Sequence, residues 1–437
     1  MTNTKFRYTT VMAVVIANMI GTGVFTSLGF QLLDIQSGFA ILLLWALGGL
    51  IAICGSMTYA ELGAALPRSG GEYNFLSKIY HPCAGFISGW ISATIGFAAP
   101  TALAAITFAA YLMSIFPDID NNWARKLAAS ALIVILAIIH SSSRKNSGRM
   151  QVAFTLIKIG IILLFCLSAI LLTNNTQPIS FAPSPKDIDL IIDGSFAISL
   201  IYVSYAYTGW NAATYLSSEL ENPQKTLPWV LIFGTMIVTV LYVSLNYVFL
   251  KVTPIESMQG KLEVGYIAAQ SAFGSVAADL TGIALALLLI STVSAMTLAG
   301  PRVLQVIGED FKILRILASS NKDKIPTNAI YIQSLIAVIF ILSSSFESIL
   351  VFAGFTLALN SFATVLAIFV LRKMQPEIKR PYKTFAFPFP PLIYLVLTGW
   401  TLYFVLINRP VEVLFSFMII VSGGILYLIS SKKNTTN

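Results

Sequence analysis

Long apolar stretches separated by short polar segments run along almost the whole chain. A helix that crosses a bilayer needs about 20 apolar residues, and runs of this length are typical of membrane proteins. The pattern therefore predicts an all-α polytopic membrane protein that forms a single domain over residues 1–437. The twelve predicted spans lie at residues 8–33, 38–62, 84–115, 127–142, 150–173, 193–217, 228–250, 275–299, 329–345, 347–371, 388–407 and 411–431.

The first predicted span carries an interruption near its middle. Its centre places Gly21 and Gly23 on either side of Thr22, and each glycine inside a helix costs about 1 kcal/mol relative to alanine. If the helix opens there, the freed peptide groups must line a cavity, because hydrocarbon cannot satisfy them. One hypothesis is that they bind the carboxylate of an amino acid. The alternative is that the glycines only allow close helix packing.

A second interruption lies in the sixth predicted span, at residues 200–220. Its centre reads Y-A-Y-T-G-W-N, a mixture of aromatic, β-branched, glycine and polar residues that disfavours a helix. The two interrupted spans are five apart, so two five-helix units would have opposite orientations in the membrane. Paired interruptions of this kind indicate the binding site of a transporter. The predicted division is a first repeat at 8–173, a second, inverted repeat at 193–371, and helices 11 and 12 at 388–431.

Composition and charge support the membrane assignment. The chain is 57% hydrophobic and 11% charged, with a mean hydropathy of +0.81. A net charge of +8 raises the question of nucleic-acid binding, but almost all the Lys and Arg residues lie between the spans. With a cytoplasmic N-terminus, twenty of the 27 fall in inside segments and six in outside segments. The bias predicts a lipid-embedded protein with both termini in the cytoplasm and no nucleic-acid partner.

The residues that usually form metal or catalytic centres are scarce. Three cysteines share no disulfide or metal-ligand spacing, and there are only two histidines. We therefore expect no metal, no cofactor and no enzymatic activity, because an enzyme needs converging nucleophiles, bases or ligands. No cleavable signal peptide is evident.

Two charged residues have both a structural and a functional interpretation. Lys158 lies about 12 Å into the fifth span at 1.5 Å per residue. It either extends its ammonium to the membrane surface or takes part in coupling. Glu61 lies near the end of the second span beside Arg68, either as an exposed charge pair or as part of a gate.

In the third span, Pro100 is expected to bend the helix or free a carbonyl.

Four motifs resemble the amino acid–polyamine–organocation superfamily of amino-acid transporters, and the likeness covers essentially the whole chain. The aromatic Y-T-G-W-N motif favours the branch of neutral amino-acid permeases and exchangers. The motifs are I-G-T-G-V-F at 20–25, Y-A-E-L-G-A-A-L-P-R-S-G-G-E-Y at 59–73, Y-T-G-W-N at 207–211 with E-L-E-N-P-Q-K-T-L-P at 219–228, and R-P-Y-K at 380–383.

The resemblance implies a LeuT-type 5+5 inverted repeat with broken helices 1 and 6 and two peripheral helices. It implies that the first break binds the substrate carboxylate, that carbonyls of both breaks bind the substrate ammonium, and that span 3 contributes side-chain contacts. It also implies that a tyrosine ring covers the substrate and that transport is coupled without sodium. The implied substrate residues are Met19, Gly21, Thr22, Gly23, Gly96, Phe97, Thr101, Tyr205 and Thr208; the coupling residues are Lys158, Ser291 and Ser294; the gate residues are Glu61 and Tyr205.

The implied function is secondary active transport of L-amino acids, most simply neutral ones, across the plasma membrane. Proton symport and amino-acid exchange both remain open, and the sequence does not define an accessory subunit. One alternative is a permease for cationic amino acids or polyamines. From a different class, a membrane-embedded enzyme or a non-transporting receptor is disfavoured by the lack of catalytic clusters in the spans and of a signalling domain.

Overall fold

The protein is described here from a computed structural model, which describes residues 6–142, 147–173, 176–322 and 325–435. Lys5, Arg144, Lys145 and Lys324, which contribute to the predicted charge asymmetry, lie outside these ranges. The α-helices are α1 Tyr8–Met19, α2 Gly23–Asp34, α3 Gly38–Ala65, α4 Glu72–Ile79, α5 Pro82–Ile91, α6 Ala98–Met113, α7 Asn122–Ser142, α8 Ser147–Leu172, α9 Pro185–Ile192, α10 Gly194–Ala206, α11 Pro223–Val252, α12 Ile255–Met258, α13 Val264–Phe273, α14 Ser275–Ala299, α15 Pro301–Asp310, α16 Thr327–Ser343, α17 Phe346–Met374, α18 Phe389–Asn408 and α19 Pro410–Thr435.

The all-α polytopic architecture is confirmed. Each of the twelve predicted spans contains a helix, and the described ranges contain no β-strand. Ten helices or helix pairs are long and apolar enough to cross a bilayer, or eleven when the bent pair α9–α10 is included. The remaining predicted span, at residues 329–345, corresponds to α16, which is apolar but only 17 residues long.

Both predicted interruptions are present. In helix 1, α1 ends at Met19 and α2 begins at Gly23. In helix 6, α10 ends at Ala206, and a turn leads into a 3₁₀-helix at Ala212–Glu219. The Thr214 and Ser217 hydroxyls there each donate to a carbonyl three residues earlier, a spacing that matches the 3₁₀ geometry. We call the breaks at residues 20–22 and 207–211 the first break and the second break.

Helix 3 is also irregular, as its proline predicts. A π-helical turn, Ser92–Gly96, separates α5 from α6. Pro100 has no N–H to donate to the carbonyl of Gly96, one turn earlier, so the regular ladder cannot continue through this point. The turn places Gly96 and Phe97 at the side of the second break.

Both chain ends reach the same end of the bundle. Phe6 pairs with Leu220 just after the 3₁₀-helix, and the ring of Tyr427 in α19 lies 6.3 Å from that of His81 before α5. We call this end, which carries residues 6, 66–81 and 212–222, the terminal face. The opposite end is the far face, where Arg409 donates to the Glu347 carboxylate over 2.6 Å.

Glu61 has a different partner from the one predicted. Its carboxylate is fully buried and accepts two hydrogen bonds from the Arg372 guanidinium, at 2.9 and 2.7 Å, and one from the Thr384 N–H at 2.6 Å. The predicted neighbour, Arg68, instead lies 3.8 Å from Asp310 in an exposed pair. The error has a simple cause, because Arg68 is near in sequence whereas α17 brings Arg372 in from over three hundred positions away. Glu61 therefore ties α3 to the end of α17 and the segment after it.

Replacing Arg372 by alanine should lower the thermal stability of the purified protein substantially. The change leaves the Glu61 carboxylate buried without its cation, and breaking a buried ion pair in this way costs about 3–5 kcal/mol. The matched control, Arg68→Ala, removes an exposed pair that contributes less than about 1 kcal/mol. The measurement is the melting midpoint in detergent, and equal midpoints for the two variants would contradict the assignment.

Candidate substrate site

The two breaks pack directly against each other. A Cβ atom built on Gly23 would lie 2.5 Å from both Cα and Cβ of Ala206, so no larger side chain fits there. Gly209 has a φ of +101°, which favours glycine, and a Cβ atom there would lie 2.8 Å from the backbone of Asn18. The glycines therefore serve close backbone approach between helices 1 and 6 as well as the opening of each helix.

The first break presents peptide groups of both kinds. The Met19 carbonyl already accepts the Tyr242 hydroxyl and, at 2.7 Å, the N–H of Gly21. Within the described part of the chain, no acceptor is found for the N–H groups of Thr22 and Gly23 at the start of α2. Those donors point out of the N-terminal end of a helix, where the partial positive charge favours an anion.

At the second break, the carbonyl of Tyr205 is engaged and the carbonyl of Thr208 is open. Thr208 donates both its N–H, at 2.9 Å, and its hydroxyl, at 2.7 Å, to the carbonyl of Tyr205. Among the residues that the structure describes, none donates to the carbonyl of Thr208 itself. The Tyr205 side chain is 4% exposed and interacts with the hydroxyl of Thr22, so it bridges the two breaks.

A cavity lies beside the breaks on the side of the terminal face. Three of the predicted substrate residues, Gly96, Phe97 and Thr208, line it together with Asn18 and Gly209. The other predicted residues at the breaks do not line it, and α2 and α10 leave no space for a Cβ atom at Gly23. Those residues are Met19, Gly21, Thr22, Gly23 and Tyr205.

Thr101, an expected substrate contact, does not reach the cavity in this conformation. Its side chain is fully buried, and its hydroxyl donates to the carbonyl of Phe97 over 2.7 Å. The π-helical turn before it shifts the register, so that Pro100 faces the cavity instead. In this conformation helix 3 contributes Gly96, Phe97 and Pro100 to the cavity wall, and a substrate contact of Thr101 stays a prediction.

The cavity continues to the terminal face and is closed toward the far face. A second cavity shares Asn18, Phe97, Ala212 and Tyr215 with the first and reaches Gly70 in the segment between α3 and α4. Toward the far face, the rings of Phe30 and Phe346 stack at 5.7 Å, and the Tyr202 hydroxyl donates to Glu347 over 2.9 Å. The structure is thus in a conformation that opens to one side of the bundle.

Lys158 is buried at the first break and does not reach the surface. Its side chain is 3% exposed, and its Nζ donates to the Ile20 carbonyl at 3.1 Å and to the Thr292 hydroxyl at 2.8 Å. The surface-directed alternative for this residue is therefore wrong. The lysine connects α8, the first break and α14.

The predicted hydroxyl partners of Lys158 are also corrected. The ammonium binds Thr292, which lies between the predicted residues Ser291 and Ser294 in sequence. Ser294 is about 200° around the helix from Thr292 and lies 2.7 Å from Nε2 of His140 in α7. Ser291 is next to Thr292 but makes no hydrogen bond to the lysine. A shift of one residue in helical register accounts for the difference.

Sequence reasoning missed one functional candidate in the cavity wall, Glu72. It lines the cavity, yet its side chain is only 2% exposed, and its two carboxylate oxygens accept hydrogen bonds from five neutral side chains. The signal that could have found it is S-G-G-E-Y, where an acid directly follows a glycine turn at the end of a span. The five donors are Tyr59, Asn211, Tyr215, Asn360 and Ser361.

Comparisons with known proteins identify the family of this chain. Residues 6–429 match the model of a family described as amino acid permease. The b(0,+)-type amino acid transporter 1 of mouse is 26% identical over 427 residues, covering 96% of this chain and 86% of the relative. The human protein of the same name has the same identity over 434 residues and the same coverage. The human large neutral amino acids transporter small subunit 2 is 26% identical, covering 95% of this chain and 78% of that protein.

The chain belongs to the amino acid permease family, within the superfamily that its motifs resemble. Its family and its relatives are transporters and not enzymes, so the prediction of no enzymatic activity is confirmed. Amino-acid transport is thus the function of the class.

Replacing Gly23 by alanine should reduce transport by about tenfold or more while the protein still inserts in the membrane. The new methyl group must push α2 away from α10, and overpacking of this kind costs about 1–3 kcal/mol. The measurement is initial uptake in proteoliposomes, normalised to the amount of folded protein.

The matched control for Gly23→Ala is Gly160→Ala in α8, where a Cβ atom meets nothing within 4 Å. That variant should keep transport within about twofold of the parent. Similar activities for the two variants would contradict a close contact between the breaks.

Proposed function

We propose that this permease carries neutral L-amino acids by alternating access, without sodium, as a proton symporter or an amino-acid exchanger. The observation that supports it most strongly is the direct contact between helices 1 and 6 at the breaks, beside a cavity that extends toward the terminal face. Broken helices at the midplane present peptide dipoles to both charged ends of an amino acid, which every substrate of this class shares.

The proposed binding mode assigns the two ends of the substrate to different breaks. The N–H groups of Thr22 and Gly23, together with the Thr22 hydroxyl, receive the carboxylate. The open carbonyl of Thr208 receives the ammonium first, and the carbonyls of Met19 and Tyr205 join when their present donors move away. Gly21 keeps the first break open, and the ring of Tyr205 covers the bound substrate.

The proposed coupling site is Lys158. Its ammonium uses a carbonyl oxygen and a hydroxyl oxygen, which are the ligand types that a bound metal cation would need. A lysine in this position therefore replaces a cation between the first break and α14. Loss of its proton would weaken the two hydrogen bonds that hold the break to α14, because a neutral amine is a poorer donor than an ammonium, and this links proton binding to helix movement.

The proposed orientation places the terminal face in the cytoplasm of the cell, with the protein in the plasma membrane. Both chain ends approach that face, and the excess of Lys and Arg in the adjoining segments supports it. The cavity would then open inward. We further propose that residues 8–173 and 193–371 are the two inverted repeats, and that Glu61 braces the cytoplasmic end of α3 during gating.

Transport of cationic amino acids is the second candidate, because one carboxylate lines the cavity. The relatives of this chain include b(0,+)-type amino acid transporters as well as large neutral amino acids transporters. Glu72, however, is 2% exposed and already accepts five hydrogen bonds from the protein. A substrate cation would have to displace several of these donors, so the geometry favours a neutral substrate.

A competition panel distinguishes these candidates. Purified protein in proteoliposomes should take up labelled neutral L-amino acids, and excess unlabelled neutral amino acids should compete better than lysine, arginine or polyamines. Replacing sodium by choline should leave uptake unchanged. Uptake that only cationic amino acids or polyamines inhibit would overturn the neutral assignment, and sodium-dependent uptake would overturn the role of the lysine as a cation substitute.

Lys158→Ala should abolish or strongly reshape the pH dependence of uptake. The change removes the buried ammonium and both of its hydrogen bonds, so proton binding can no longer act on the first break. The measurement is the initial rate across the pH range in which uptake by the parent protein changes. The control is Lys186→Ala on exposed α9, which should retain the parent profile. An unchanged rate and profile in Lys158→Ala would contradict a coupling role.

A further inference from the structure

Glu72 joins four parts of the protein at one carboxylate. Its Oε1 accepts from the hydroxyl of Tyr59 in α3 at 2.6 Å, the amide of Asn211 in the second break at 3.1 Å, and the hydroxyl of Ser361 in α17 at 3.1 Å. Its Oε2 accepts from the hydroxyl of Tyr215 at 3.0 Å and the amide of Asn360 at 2.7 Å. The carboxylate therefore holds the 3₁₀ half of helix 6 against α3, α4 and α17.

This carboxylate is unusual because every donor to it is neutral. Within the described ranges no Lys, Arg or His forms a salt bridge with Glu72. The ionisable groups that face it are three phenols, Tyr59 from α3, Tyr215 from helix 6 and Tyr394 from α18. The side chains of α17 that donate to Glu72, Asn360 and Ser361, are uncharged. Glu61, the other buried carboxylate on this side of α3, has an arginine instead.

The surroundings of Glu72 allow it to bind a proton without leaving a group unpaired. A carboxylate accepts only, whereas a carboxylic acid must donate one hydrogen bond. Tyr215 can accept it, because its oxygen also lies 3.2 Å from the hydroxyl of Ser92. On protonation of Oε2, the Tyr215 hydroxyl can turn its own proton to Ser92 and accept from Glu72. Ser92 begins the π-helical turn that carries Gly96 into the cavity wall.

We propose that Glu72 is a proton-binding site, and that its charge sets the balance between the open-cavity conformation seen here and a conformation in which helix 6 has moved away from it. The chemistry is one proton added to Oε2 from water in the cavity, with no other bond made or broken. This site is separate from the proposed coupling at Lys158, since the two residues share no partner.

The direction of the effect follows from burial. Desolvation raises the pKa of Glu72 above its ordinary value, although the hydrogen bonds from its side-chain donors oppose the rise. A conformation that exposes Glu72 to water would return the pKa toward that ordinary value. The form with the higher pKa binds protons more readily, so acidification favours it. Lower pH should therefore increase the population of the conformation with the cavity open to the terminal face.

Thiol labelling measures that population without requiring transport. Ala299 lines the cavity that reaches the terminal face, and its replacement by cysteine gives a target in a protein whose three native cysteines are changed to alanine. A water-soluble maleimide is applied to the protein in nanodiscs between about pH 5 and about pH 8, spanning the ordinary pKa of a carboxyl and values raised above it. Comparing variants at the same pH cancels the ionisation of the thiol itself.

Glu72→Gln imitates the protonated side chain, so it should hold the open-cavity population at its acid value. At the alkaline end this variant should label roughly threefold or more faster than the parent, and at the acid end the two rates should converge. Glu309→Gln, an exposed residue at the same face, should follow the parent at every pH. Equal pH dependence in Glu72→Gln and the parent would overturn the proposal, whether or not Lys158 proves to couple transport.

Tyr215→Phe tests the same site in a protein that keeps the carboxylate. It removes a donor to ionised Glu72 and also the acceptor of its acid proton. A hydrogen bond to a charged group is stronger than one between neutral groups, so the ionised form loses more and the midpoint of the labelling change should rise by up to about one pH unit. Tyr207→Phe is the matched control, since that hydroxyl donates to the Trp45 carbonyl and not to Glu72. An unmoved midpoint in Tyr215→Phe would contradict the relay, and so would equal shifts in the two variants.

Discussion

Unpaired peptide groups cannot be left in hydrocarbon, and this constraint shapes the centre of the protein. Each break frees backbone groups that the helix would otherwise satisfy. Some are taken by side chains from other helices, as when Tyr242 donates to the Met19 carbonyl and Lys158 to that of Ile20. The other freed peptide groups lie near the contact between Gly23 and Ala206 and near the adjoining cavity. We propose that a zwitterionic substrate binds the peptide groups that remain unpaired.

The same constraint explains why charges in the interior are tied to particular partners. Glu61 is paired with a guanidinium and serves as a fixed brace between α3 and α17. Glu72 is surrounded by neutral donors, and its two protonation states are therefore closer in energy. Lys158 is surrounded by neutral oxygens in the same way. Among the described residues, Glu61 and Arg372 thus form a buried ion pair, and we propose that the charges of Glu72 and Lys158 change during a transport cycle.

Much of this architecture could be predicted from sequence, for reasons that differ between elements. The breaks were predictable because glycine and clustered polar residues weaken a helix within an apolar run, and both breaks lie at the predicted positions. Features set by register or long-range contact were not predictable. Thr292 replaces its neighbours as the partner of Lys158, the π-helical turn removes Thr101 from the cavity, and Arg372 reaches Glu61 from a distant helix. The S-G-G-E-Y motif marks Glu72 in the sequence, but the motif does not show its hydrogen-bond partners, because they come from three other segments of the chain.

The central claim is that the two breaks together hold the charged ends of the substrate. The most direct measurement is an experimental structure of the protein with a transported amino acid bound. The account predicts the carboxylate within hydrogen-bonding distance of the N–H groups of Thr22 and Gly23, and the ammonium at the carbonyl of Thr208. A substrate bound elsewhere, with both breaks still engaged only with protein groups, would contradict it.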